Sequence, residues 1–263
     1  AFMLLALCVG FVVGRYTGLL APPAIADGVQ FVEPLMEQAV RVQLGKDETE
    51  TITEADLLSV REIYIFGNEV AKTEDPFSAG LGGPLQDTPR GGITSLEDVK
   101  LLPNLEVLYV NYQMLVDISP VSELEYLTTV SLRSTFVEDI SALSGMMQLN
   151  NVCLFDTHTR DMSPLGSCTA LYSLDVGNTP ITSLSALPDI EGLRVLSLRQ
   201  TQFPSLDGIE RFGFLEKLDL CRSMATDMSP LLSLPSLIAV SVDGSMRGAM
   251  EALGSPPFEI KYE

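Results

Sequence analysis

The chain has 263 residues, with 16 Lys and Arg against 35 Asp and Glu, and a formal charge of −19. Hydrophobic residues make up 46%, enough for a continuous core, which excludes global disorder. The negative balance argues against nucleic acid, whose phosphates need clustered Lys and Arg. One His and no Trp leave almost no room for a His-based metal site.

Residues 1–14 carry no charge, and Arg15 and Tyr16 follow. A bilayer is crossed by about 20 apolar residues. Fourteen is short, but the chain does not begin with Met, and Arg15 and Tyr16 suit a membrane interface. We read 1–26 as an anchor or signal segment, with membrane contact through residues 1–20. Cleavage after Ala24-Ile25-Ala26 would make it a secretory signal instead. Both readings put the body of the chain outside the cytoplasm. The plainer third reading, a buried helix of the fold, lacks the polar face such a helix needs.

Residues 27–66 read as a helical cap followed by a first strand. Pro34 precedes Leu35, Ala39, Val40, Val42 and Leu44 at near-helical spacing, and Gly45 ends the run. Thr53 is the expected N-cap of a second short helix containing Leu57 and Leu58, and Ile63-Tyr64-Ile65 reads as a strand. The stretch 67–92 is rich in Gly and Pro and reads as an inserted loop. A plain surface loop is the simpler reading, and a flap beside a binding face the sharper one.

From residue 93 to 246 the chain keeps one beat. The pairs Leu108/Val110, Val130/Leu132, Val152/Leu154, Leu174/Val176, Leu196/Leu198, Leu218/Leu220 and Val240/Val242 recur every 22 residues without a slip. Leu105, Leu127, Leu149, Leu171, Leu193, Leu215 and Leu237 stand before them in the same register. Several apolar columns held this way cannot come from a single helix or strand; each unit buries its edge against the next, as in a solenoid. The residue between the members of each pair points away from the core, so the short strands line one face of a parallel sheet. Asp117-Ile118-Ser119-Pro120, Asp161-Met162-Ser163-Pro164 and Asp227-Met228-Ser229-Pro230 supply the other half of the unit. Ser or Asp before Pro predicts an N-cap with Pro at the first position of a short helical or 3₁₀ turn. Residues 247–263 read as an irregular last turn and strand that close the far end.

The unit resembles a leucine-rich repeat, and its 22-residue length and D-I-x-P-L turn resemble the internalin-type bacterial repeat. The resemblance implies an α/β leucine-rich repeat solenoid, with a concave parallel sheet, short convex turns and a helical N-terminal cap like that of secreted relatives. One departure stands out. Where this family has Asn or Cys, the chain has Gln113, Thr135, Thr157, Thr179, Thr201, Ser223 and Ser245. A ladder of buried hydroxyls inside the turn is expected, with fewer bonds than an Asn ladder.

No motif for catalysis emerges. Cys153 and Cys221 lie three repeats apart, too far for a disulfide. Asp156 and His158 share a loop, yet no nucleophile elbow or zinc motif accompanies them, and a solvated loop His is the plainer reading. The Gly pairs of the insertion lack a following Lys-Ser/Thr, so no phosphate loop is supported. No catalytic residue, metal or cofactor is assigned. The outward strand positions are Tyr109, Ser131, Cys153, Asp175, Ser197, Asp219 and Ser241, with Asn111, Arg133, Phe155, Gly177, Arg199, Cys221 and Asp243 beside them. Aromatics and Arg anchor protein interfaces, so the candidate ligand-binding residues are Tyr109, Tyr112, Arg133, Phe155, Asp175, Arg199 and Asp219. The reading is a recognition module that takes a protein, peptide or glycan on its concave face at a bacterial cell surface. The alternatives are the sensing ectodomain of a receptor and an enzyme built on the same face.

Overall fold

The computed structural model describes residues 28–74 and 89–263. The membrane reading of residues 1–20, the cleavage site and most of the inserted loop lie outside them. Among the described residues, no helix is long and apolar enough to cross a membrane.

Ten strands of the described residues form one sheet in the order β10-β9-β8-β7-β6-β5-β4-β3-β1-β2. They are β1 (Glu62–Phe66), β2 (Glu69–Ala71), β3 (Val107–Asn111), β4 (Thr129–Ser131), β5 (Asn151–Cys153), β6 (Ser173–Asp175), β7 (Val195–Ser197), β8 (Lys217–Asp219), β9 (Ala239–Val242) and β10 (Glu259–Tyr262). All neighbours are parallel except β1 and β2. The register aligns Leu108, Val130, Val152, Leu174, Leu196, Leu218 and Val240, so the sequence beat becomes one column of the core. All seven are 2% exposed or less, and the Leu column before them is equally buried except at Leu237. The convex side carries 3₁₀ turns such as Ser119–Glu123, Ser163–Ser167 and Ser229–Ser233. The expected leucine-rich repeat solenoid is the architecture of this chain.

One local expectation needs correction and a second is refined. Pro120, Pro164 and Pro230 occupy the second turn position, not the first, and no Ser side chain caps the turn. The cap is the preceding Asp: Asp117 Oδ1 accepts the Ser119 amide at 2.7 Å, and Asp139, Asp161 and Asp227 repeat the bond at 2.8–2.9 Å. An Asp two residues upstream reaches this amide more easily than a side chain on the turn itself. The hydroxyls of four repeats do lie buried inside the turn, but each bonds its own repeat and not the next. Thr135, Thr157, Thr179 and Thr201 each donate to the carbonyl three residues back, at 2.6–2.8 Å. A hydroxyl is too short to reach the next unit, so it closes its own turn. Ser223, one carbon smaller still, leaves its Oγ buried without a partner.

Helix α1 (Pro34–Leu44) starts at the proline and ends on Gly45 in the left-handed region at φ 67°. It covers the open edge of the solenoid with Met36, Ala39 and Val40, all fully buried. Helix α2 (Glu54–Leu57) has the expected Thr53 cap, closed reciprocally by Asp56. Lys46 and the Thr53 hydroxyl and amide hold the Asp56 carboxyl down at about 2. Two acids bind the cap to the first repeat. Buried Asp98 accepts the amides of Val32 and Glu33 at 2.8 Å each. Glu33 returns the contact by accepting the Thr94 and Ser95 amides at 2.9 Å each.

The insertion begins as sheet rather than loop. β2 turns back on β1, with Tyr64 opposite Ala71, and Gly91 rejoins the sheet by a bridge to Gln113. Gln113 is fully buried and donates to Gly67 O at 2.6 Å while accepting the Ile93 amide at 3.0 Å. Its longer amide does here what the Thr hydroxyls cannot. At the other end, helix α3 (Arg247–Glu251) and β10 close the solenoid.

After each regular strand one residue enters the left-handed region: Tyr112, Ser134, Asp156, Asn178, Gln200 and Arg222, with φ between 50° and 59°. Only Asn and Asp tolerate this readily; the others are held there at about 1 kcal/mol each. The amides of Tyr112, Ser134, Asp156, Asn178 and Gln200 donate to carbonyls of the next repeat at 2.8–3.0 Å, which offsets the strain. This turn ends the concave row after each strand from β3 to β8.

Candidate functional site

The concave face is built by strand register. Tyr64, Tyr109, Ser131, Cys153, Asp175, Ser197, Asp219, Ser241 and Lys261 stand side by side across nine strands. The inner seven follow from the 22-residue beat; Tyr64 and Lys261 do not, because their strands lie outside it. Beside this row runs a second, from Phe66 and Asn111 through Arg133, Phe155, Gly177, Arg199 and Cys221.

The expected anchors are present on this face, but they do not stand out into solvent. Arg133 is 6% exposed, Phe155 7% and Tyr112 8%. A curved sheet brings side chains of adjacent strands together, and here they bury one another. Tyr109 stacks against Tyr64 with ring centroids 5.2 Å apart, and Tyr112 against Phe66 at 4.6 Å. These four aromatics form a small apolar cluster over the concave side, separate from the main core. Tyr64 and Phe66 were missed in the sequence. The signal for them was the Ile63-Tyr64-Ile65 strand, read without its partner β3.

Arg133 lays its guanidinium on the Phe155 ring, 3.9 Å from the centroid. Gly177 makes room for that ring: a Cβ there would fall 2.8 Å from Phe155 Cδ2 and 2.6 Å from Arg199 O. Asn111, fully buried, accepts the Ser131 hydroxyl at 2.8 Å and the Arg133 amide at 2.9 Å.

Asp175 and Asp219 use one oxygen the same way, taking the amide two residues on: Gly177 and Cys221, at 2.9 Å each. Burial raises the Asp175 carboxyl above its ordinary range, against the pull of the Gly177 amide, the Ser197 hydroxyl and Arg133. Burial, then the neighbouring Asp175 charge, pushes the Cys153 thiol up to about 12. Burial also works against the charge of Arg199, but Glu263 and Asp219 outweigh it and hold the guanidinium firmly protonated. Arg199 Nε meets Asp219 Oδ2 at 2.9 Å, and its far nitrogen meets Glu263. Arg199, Asp219 and Glu263 therefore form a closed ion-pair network.

Among the described residues, two adjoining hollows open along the row. The first, about 430 Å³, is lined by Tyr64, Glu74, Tyr109, Arg133, Cys153 and Asp175 among others. Burial, with Glu74 beside it, raises the Tyr109 hydroxyl. The second, about 370 Å³, runs from Arg133 and Phe155 to Lys217 and Lys261. Arg133 and Asp175 line both.

His158 stands apart from these hollows. Its ring is half exposed, edge-on to Phe136 at 5.4 Å, with Nδ1 4.0 Å from Glu138 Oε1. Among the described residues, no group of three or more His, Cys, Asp or Glu could hold a metal ion.

This nine-strand concave row with its 3₁₀ convex side has clear counterparts among solved structures. The chain has an internalin-like leucine-rich repeat fold. Internalin C2 from Listeria monocytogenes superposes with a TM-score of 0.66 at 23% identity, over 88% of this chain and 93% of that one. Internalin F from the same species gives a TM-score of 0.52 at 17% identity, over 89% and 91% of the two chains. No family model and no curated sequence matches the chain.

Proposed function

We propose that this chain is an extracytoplasmic binding module whose concave face takes a protein, peptide or glycan ligand at a bacterial cell surface. The observation that carries it is the concave row itself: aromatic, polar and charged side chains held in register and opening into two adjoining hollows. Solenoids present such faces to partners, and the internalin-like fold supports the same use. The apolar run at residues 1–14 supports a place at or beyond a membrane.

The full chain, probed against an array of purified extracellular proteins and glycans, tests the reading. Ser197→Trp fills the concave row, while Ser185→Trp marks the convex side. A ligand captured by the wild type should be lost with Ser197→Trp and kept with Ser185→Trp. The reverse pattern would overturn the concave assignment.

A further inference from the structure

The two hollows share a wall made by Arg133 and Asp175. Arg133 is more than nine-tenths buried, and among the described residues its Nε has no hydrogen-bond partner. Among the described residues it makes no ion pair; its contacts are the Phe155 face and the longer-range field of Asp175. A buried charge left this way is costly, because the ring face replaces only part of the lost hydration. The acids around it are already engaged. Asp175 accepts the Gly177 amide and faces the Cys153 thiol at 3.8 Å. Asp219 accepts Arg199 and the Cys221 amide. Beside Arg133, the buried Nδ2 of Asn111 is also without a partner among the described residues. This part of the face has donors to spare and few free acceptors.

Charge along the second hollow points the same way. Its lining holds four cations, Arg133, Arg199, Lys217 and Lys261, and two acids, Asp175 and Asp219. Rim acids neutralise two of the cations: Glu263 joins Asp219 on Arg199, and Glu259 lies 3.6 Å from Lys261. Arg133 and Lys217 have no such partner among the described residues. Between them lie Phe155, Val195, Leu196, Leu218 and Ala239, an apolar floor. In a chain of charge −19, two unpaired cations across an apolar floor are a distinctive local chemistry.

We infer that the second hollow receives an acidic peptide segment, whose Asp or Glu carboxylate meets the Arg133 guanidinium while a neighbouring apolar side chain rests on the floor. This rests on the concave-face reading above. A carboxylate matches the guanidinium fork with two parallel hydrogen bonds, and a charge-assisted pair is worth about twice a neutral one. Lys217 then acts as a second, exposed attraction at the rim, weaker and sensitive to salt.

A displayed library of random dodecapeptides, panned on the full chain, tests the inference. Selected peptides should be enriched in Asp or Glu next to an apolar residue. Titration calorimetry with one such peptide should show at least a tenfold loss on changing its acid to the amide. Arg133→Gln should cause a similar loss, and the two changes together should cost little more than either. Arg133→Lys keeps the charge and the stem, and should recover part of the affinity. Should Arg133→Gln fail to fold by circular dichroism, the peptide-side change and Arg133→Lys still decide the matter. Peptides without acidic enrichment, or equal binding by the three Arg133 forms, overturn the inference. So does binding of sulfated oligosaccharide or inorganic phosphate where peptides do not bind. If Ser197→Trp abolishes ligand binding while Arg133 changes do not, the concave reading stands and this inference falls. If selected peptides ignore Ser197→Trp, the concave reading falls with it.

Discussion

Removing the Asp98 carboxylate should release the cap from the solenoid. In Asp98→Ala the amides of Val32 and Glu33 lose charged acceptors at 2.8 Å each. Hydrogen bonds to charged groups contribute about 1.5–3 kcal/mol each. Val32 is 66% exposed, so its amide regains water and little of its bond is lost in net terms. The Glu33 amide sits in a buried contact and does not. The expected loss is therefore about 2–3 kcal/mol. Asp98→Asn should cost about 2 kcal/mol, because it keeps one acceptor but turns an NH₂ group toward a backbone donor. Urea denaturation measures the change. Hydrogen exchange locates it: amides in α1 should lose protection while those of β5 to β8 keep theirs, since a solenoid transmits stability only between neighbours. A loss under about 1 kcal/mol, or unchanged protection in α1, would refute the idea that these two acids fasten the cap.

Three further outcomes are expected. Deleting residues 172–193 removes one whole 22-residue beat and joins Leu171 to Arg194 in register, so the shortened chain should fold cooperatively with lower stability; deleting 173–193 breaks the register and should give an unfolded or aggregated product by circular dichroism. Burial raises the Asp175 carboxyl, so the folded chain binds its proton more tightly than the unfolded one. Stability should then fall as pH rises from about 4 through the folded-state value, and Asp175→Asn, which keeps an acceptor for the Gly177 amide, should flatten that slope in denaturation curves at several pH values. Gly177→Ala should cost about 2 kcal/mol or more in urea denaturation, because its Cβ meets the fixed Arg199 carbonyl at 2.6 Å as well as the Phe155 ring.

The repeat, the caps and the concave row were legible in the sequence because each depends on local pattern. A 22-residue beat of apolar pairs has one way to bury itself, and Pro34, Gly45 and Thr53 mark helix ends by their own backbone chemistry. Even the turn chemistry was half readable, since the Asp that caps each 3₁₀ turn is printed in the motif. What the pattern could not show is how far the sheet curves and which distant residue each side chain meets. Arg133 is an outward position by alternation, yet the Phe155 ring of the next strand buries it. Arg199 finds Glu263 64 residues away, and Tyr109 finds Tyr64 across a strand that lies outside the beat. Periodicity fixes which face a residue occupies; only the folded curve decides what stands opposite, and so which charges remain unmatched.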